Sequence, residues 1–220
     1  MLEVIEKLKK IDWFYVFLVI FLSFVGFVMI YSATSGMEYN VLFSHTMKML
    51  VGMIAMLIIA VVDIEFWKRN AFYIYFFFII LLVWASIFGH LGKGSRRWIN
   101  ISGFYMQPSE LIKICIILSL AKFFDEKKIK DKGDYFFLIF PIIIVLVPVG
   151  LILSQPDLGT AAIVLFISFI IFYISGLSWK FFTTIGFGFL IITPYLWSLL
   201  KNYQKQRILT LFNPENDPLG

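Results

Sequence analysis

"AFYIYFFFIILLVWASIFGHLGKGSRRWINISGFYMQPSELIKICIILSLAKFF", Ala71 to Phe124, decides the fold. Ala71–Gly89 carries no charge, Lys93, Arg96 and Arg97 follow close together, and a second apolar run starts at Pro108. A membrane-crossing helix needs about 20 predominantly apolar residues. Two such runs around a short charged segment describe a chain that crosses, turns among polar headgroups and crosses back. The pattern extends along all 220 residues and predicts seven spans: Trp13–Ser32, His45–Val62, Ala71–Gly89, Pro108–Phe124, Tyr135–Ser154, Leu158–Gly176 and Phe181–Leu200. Connections are short, and no soluble domain or low-complexity linker interrupts them. The expected fold is an all-α polytopic helical bundle, with residues 1–220 forming a single transmembrane domain.

Composition agrees. The sequence is 60% hydrophobic and only 15% charged, with mean hydropathy +0.89. Soluble domains are nearer half apolar and a quarter charged. The net charge of +5 fits basic cytoplasmic loops rather than nucleic-acid binding. The apolar run after "MLEVIEKLKKIDW" is too long for a signal-peptide core of roughly 7–15 residues, so a retained anchor is expected. Cys115 is the only cysteine; no internal disulfide can form. His45 and His90 are too few and too far apart to read as a metal site.

Positive charge orients the spans. With the N-terminus cytoplasmic, eleven cations fall inside: Lys7, Lys9, Lys10, Lys68, Arg69, Lys122, Lys127, Lys128, Lys130, Lys132 and Lys180. Six fall outside: Lys93, Arg96, Arg97, Lys201, Lys205 and Arg207. Lys48 and Lys113 lie within spans. Trp13, Trp67, Trp179 and Trp197 then sit near span ends, where aromatic belts form. The outward segment Gly92–Gln107 therefore runs against the charge trend. A solvated loop is one explanation. An anion site at the outer leaflet is the other, since the arginine fork suits bidentate phosphate recognition.

"QPSELIK", Gln107–Lys113, opens the fourth span. Pro108 suits the first helical position, where its missing N–H would be unpaired anyway. Glu110 falls in the first turn, where the helix dipole favours an anion, so capping alone is one explanation of Gln107, Pro108 and Glu110, and a role in binding is the other. Lys113 shares a face with Glu110, about 4.5 Å further along the axis. An ionisable residue at that depth is a functional candidate, with snorkelling as the alternative. "QPDLGTA", Gln155–Ala161, repeats the logic: Gln155-Pro156 is expected to enter a helix with Asp157 in its first turn. Gly159, Thr160, Ala161 and Ala162 form a small face suited to close helix packing. Pro141, Pro148 and Pro194 lie inside spans and predict kinks. Residues 203–220, "YQKQRILTLFNPENDPLG", mix Lys205 and Arg207 with apolar side chains, the pattern of an interfacial segment.

These motifs together resemble the SEDS family (shape, elongation, division and sporulation), the RodA/FtsW/SpoVE group. The resemblance rests on "LKKIDW" and "MIYSAT" around the first span, "GKGSRRWI" with "QPSELIK", "QPDLGTA" and "RILTLFNPENDPLG", in family order; "LKKIDW" and "FNPENDPLG" look more like the RodA branch. It implies a fold of about ten spans, of which this sequence matches roughly the first three fifths, so the chain is expected to be the N-terminal part of a longer protein. It implies a peptidoglycan glycosyltransferase in the bacterial cytoplasmic membrane. That enzyme polymerises lipid II, an undecaprenyl-diphosphate-linked disaccharide peptide, outside the membrane during elongation and rod-shape maintenance. Its implied partners are a class B penicillin-binding protein and other elongation-complex membrane proteins. No cofactor is implied, and a divalent cation is left open. Lys113 matches the family lysine that pairs with an aspartate in a later outer loop, the usual candidate base, which would lie beyond Gly220. Trp98 and Asp157 also match family positions.

Lys113 and Asp157 are thus the catalytic candidates. Lys93, Arg96, Arg97, Trp98, Gln107, Glu110 and Arg207 are the substrate-binding candidates, with the cations facing the leaving diphosphate and a base facing the attacking hydroxyl. Two other readings compete. A flippase of lipid-linked precursor would suit kinked helices and midplane charge, and a non-catalytic scaffold would only dock partners. Most of the charge lies at the outer edge rather than at the midplane, which favours surface chemistry.

Overall fold

The computed structural model describes residues 11–34, 40–92, 95–101, 104–127, 136–199, 205–206 and 209–210. Among them are seven helices: α1 (Trp13–Ala33), α2 (Asn40–Val61), α3 (Ile64–Phe88), α4 (Pro108–Glu126), α5 (Ile139–Ser154, preceded by a 3-10 turn at Phe136–Leu138), α6 (Leu158–Ile174) and α7 (Trp179–Leu199). By length and composition, the stretches Trp13–Ala33, Leu42–Val61, Ile64–Phe88 and Phe136–Ser154 can each cross a membrane. The apolar helix α6 has 17 residues, about 25 Å at ~1.5 Å per residue.

The chain divides into two compact units, Met1–Trp67 and Lys68–Gly220. In the first, Asp12 caps α1, its carboxylate accepting from the Phe14 N–H at 3.0 Å. No residue of α1 is buried; Phe14, Tyr15, Phe17, Phe21 and Phe24 are all more than half exposed, as suits a helix whose environment is lipid.

In the second unit α4, α5 and α6 pack on one another. On α4, Ile112, Cys115, Ile116, Ser119, Leu120 and Phe123 are buried, following the i, i+3, i+4 spacing of one helix face. Of the small face expected on α6, Thr160 and Ala161 are buried while Gly159 and Ala162 are exposed; the buried stripe runs instead through Thr160, Val164, Ser168 and Phe172, four residues apart. α6 ends as its sequence demands. Gly176 takes φ +83°, the Gly176 N–H reaches the Tyr173 carbonyl at 3.1 Å and the Leu177 N–H reaches that of Phe172 at 3.5 Å, a glycine-closed Schellman motif. α3 is tied to α4 at one end: Ser119 Oγ donates to the Ala71 carbonyl at 3.3 Å, Lys122 Nζ to that of Arg69 at 3.0 Å, and Lys68 pairs with Asp125 at 2.6 Å.

Three expectations need correction. α3 starts at Ile64 rather than near Ala71, because Glu65, Lys68 and Arg69 are good helix formers that carry the helix past its apolar run. Pro141 sits in the first turn of α5, where a missing N–H costs nothing. The segment between α3 and α4 is an antiparallel sheet of three strands: β1 (His90–Gly92), β2 (Ser95–Ile101) and β3 (Phe104–Met106), in that order.

Pro148 does lie inside α5. A proline cannot donate to the carbonyl four residues back, here that of Ile144. Tyr75 of α3, 4% exposed, fills the vacancy, its hydroxyl donating to the Ile144 carbonyl at 3.0 Å. Tyr75→Phe is expected to orphan that acceptor and destabilise the fold by about 1–3 kcal/mol. In a Pro148→Ala background, where the Ala N–H reoccupies the carbonyl, the same change should cost little. Thermal melts of the four proteins in detergent measure the difference; equal losses in both backgrounds would refute the pairing.

Candidate functional site at the α4 and α6 N-termini

β2 carries the arginines. Its pairing with β1 runs His90 opposite Trp98, then Leu91 opposite Arg96 and Gly92 opposite Ser95, so the ladder slips between His90 and Leu91. Arg97 is left as the extra residue of a β-bulge, a feature that re-aims side chains. β2 pairs regularly with β3, Ile99 opposite Met106 and Asn100 opposite Tyr105, and β3 leads through Gln107 into α4.

The two arginines point to different helix ends. Arg96 Nη1 donates to the carbonyl of Ile87, in the last turn of α3. Arg97 Nε donates to the Gln155 carbonyl and Nη2 to that of Pro156, both at 2.8 Å. Its Nη1 lies 3.2 Å from Asp157 Oδ2. Helix C-termini expose carbonyls that lack intrahelical donors and carry partial negative charge. Away from bulk water such groups must be satisfied from within the protein. The charge at the membrane edge is therefore spent in large part on closing α3 and the α5–α6 turn.

Asp157 is the N-cap of α6, one position before the first turn, where it had been expected. Its Oδ1 accepts from the Thr160 N–H at 3.2 Å. Gln107 joins the same group: its Nε2 is 2.9 Å from Ser109 Oγ and 3.4 Å from Asp157 Oδ2. Gln155, 4% exposed, donates to the Leu82 carbonyl at 3.1 Å, tying the turn to α3. Pro108 and Glu110 stand in the first turn of α4 as expected. Lys113 Nζ is 2.9 Å from Glu110 Oε2, with the lysine side chain 19% exposed and the glutamate 54%.

The structure thus brings together Arg97, Gln107 and Asp157 as one group, and Glu110 with Lys113 as another. Lys113 finds its carboxylate on its own helix face. Trp98 is paired through its backbone with His90 and is 36% exposed. Lys93 and Arg207 lie outside the described residues, as does most of the interfacial segment 203–220. Among the described residues no cluster of three or more His, Cys, Asp or Glu side chains could hold a metal ion. Ser109, Gln155 and Thr160 join these groups without having been site candidates: Gln155 and Thr160 were read as helix entry and packing, and Ser109 was read only as a letter of the Gln107–Lys113 motif.

The family model described as "Cell cycle protein", for FtsW, RodA and SpoVE, matches residues 12–220, and the chain belongs to this family. Among curated relatives, the peptidoglycan glycosyltransferase MrdB of Escherichia coli K12 is 32% identical over 206 residues, covering 88% of this chain and 53% of that protein. The probable peptidoglycan glycosyltransferase FtsW of Trichlorobacter lovleyi is 32% identical over 234 residues, covering all of this chain and 61% of that one. Among solved structures, RodA of Thermus thermophilus superposes with TM-score 0.70 at 29% identity, over 83% of this chain and 60% of its own. A chain from a study of polymerization and crosslinking by a peptidoglycan synthase complex superposes with TM-score 0.82 at 29% identity, over 96% and 61%. This chain therefore spans between about half and three fifths of the length of these four proteins, and it is a multi-pass membrane protein.

Proposed function

We propose that the chain is part of a peptidoglycan glycosyltransferase that extends glycan strands from lipid II at the outer face of the bacterial cytoplasmic membrane. The observation that carries this reading is the Glu110–Lys113 pair at the head of α4, beside the N-terminus of α6, with the glutamate open and the lysine mostly covered. Lipid II presents a sugar diphosphate at that depth. Lys113 and the two helix N-termini offer positive potential to the leaving diphosphate. Asp157 is engaged by Arg97, Gln107 and the Thr160 N–H. Glu110 is the more open carboxylate, placed to hold the ammonium and to meet an incoming hydroxyl. Displacement at the anomeric carbon with inversion needs no covalent enzyme intermediate. A class B penicillin-binding protein is the expected partner, following the synthase complex that the fold matches.

The test compares two assays on the purified full-length protein. Given lipid II it is expected to make strands; reconstituted in liposomes it is not expected to move lipid II between leaflets faster than protein-free vesicles do. Translocation without synthesis would favour the flippase reading.

The proposed orientation puts the N-terminus inside and the strands outside. In a Cys115→Ala background, cysteine at Tyr105 should react with an impermeant thiol reagent on intact cells, and cysteine at Lys127 should not. The reverse pattern would invert the topology and remove the site from the outer leaflet.

A further inference from the structure

We propose that Arg97 is a positioning residue: from the β2 bulge it locks the α5–α6 turn and, through Asp157 and Gln107, sets the first turn of α4 on which Glu110 and Lys113 stand. The inference rests on the glycosyltransferase reading for its kinetic part only. Three bonds leave one guanidinium: two to consecutive backbone carbonyls at 2.8 Å and one to a carboxylate at 3.2 Å. Its side chain is 24% exposed and that of Asp157 is 14% exposed. A diphosphate ligand would need free donors facing the substrate, whereas this fork is turned toward the protein on Nε, Nη1 and Nη2 alike. The same Oδ2 that meets Arg97 also lies within reach of Gln107 Nε2, and Gln107 caps neither helix with its side chain but bonds Ser109 Oγ inside the first turn of α4. Bulge, turn and helix head thus form a continuous chain of contacts. A lysine in place of Arg97 could satisfy one of these acceptors but not the fork.

Two readouts test it on the full-length protein. The first is independent of activity. With Cys115→Ala and spin labels at Tyr105 on β3 and Ser154 at the end of α5, the distance distribution should be narrow in the parent, broad in Arg97→Ala and intermediate in Arg97→Lys. The second is kinetic. Misplacing a catalytic group by about 1 Å can cost on the order of 100-fold, so Arg97→Ala should lower kcat by about 10–100-fold while KM for lipid II stays within about 2-fold, with partial recovery in Arg97→Lys. A raised KM with unchanged kcat would make Arg97 a substrate ligand and overturn the proposal. So would an unchanged distance distribution. Should the parent make no strands, the glycosyltransferase reading fails, and the distances still decide the clamp. If Arg97→Ala does not fold, Arg97→Lys carries both readouts.

Discussion

Lys113→Ala is expected to reduce strand synthesis from lipid II by at least about 100-fold, the usual scale for removing one group that stabilises transition-state charge or assists proton transfer, while the protein folds and inserts normally. The two halves of this expectation come from different features of one pair. Lys113 and Glu110 lie three residues apart on a single helix face. The glutamate is more than half exposed, and a short-range pair of that kind contributes less than about 1 kcal/mol to stability. Its loss should barely move the melting temperature. In the proposed reaction the lysine would supply a positive charge fixed at the depth where the diphosphate leaves. Lys113→Arg restores charge with a different shape and should recover only part of the rate. Near-parental synthesis in Lys113→Ala would reduce the lysine to a snorkelling side chain.

Asp157→Ala is expected to damage stability and synthesis together. The substitution removes the N-cap of α6, a loss of about 0.5–2 kcal/mol, and leaves the mostly buried Arg97 guanidinium without its counter-charge. Breaking a fully buried pair costs about 3–5 kcal/mol; with Arg97 still bonded to two carbonyls and partly exposed, a combined loss of about 2–4 kcal/mol is expected. That corresponds to a fall of roughly 5–15 °C in Tm for a domain of this size. Asp157→Asn keeps an oxygen for the Thr160 N–H but loses the charge, so it should fall between the parent and the alanine variant. A Tm unchanged in both would contradict the network.

Much of the fold was legible because a membrane makes span length a strong constraint. The apolar runs placed both ends of α1 and α6 to within two residues and the C-terminal end of α5 at Ser154, and Pro108 placed the start of α4; α5 itself begins at Ile139, four residues after the expected start, behind its 3-10 turn. The sheet was harder to see. β1 and β3 have three residues each, too few for alternation to register. Arg96 and Arg97 were visible as charges at an edge, but their acceptors are backbone carbonyls of Ile87, Gln155 and Pro156, which no side-chain pattern reveals. The bulge that sends Arg97 to the α5–α6 turn arises from strand register, a tertiary property. Tyr75 likewise gave no sign of answering Pro148, 73 positions along the chain from it. Glu110 and Lys113 could be paired from sequence because i, i+3 spacing is local.

Strand synthesis is proposed to take place at the leaflet faced by β1–β3 and the head of α4. The full-length protein, reconstituted in vesicles with its orientation measured by labelling a cysteine at Tyr105, can be given lipid II in the outer leaflet alone. Synthesis is predicted to track the fraction of molecules whose Tyr105 position is accessible from outside. Synthesis that tracked the opposite fraction, or was independent of orientation, would contradict the account.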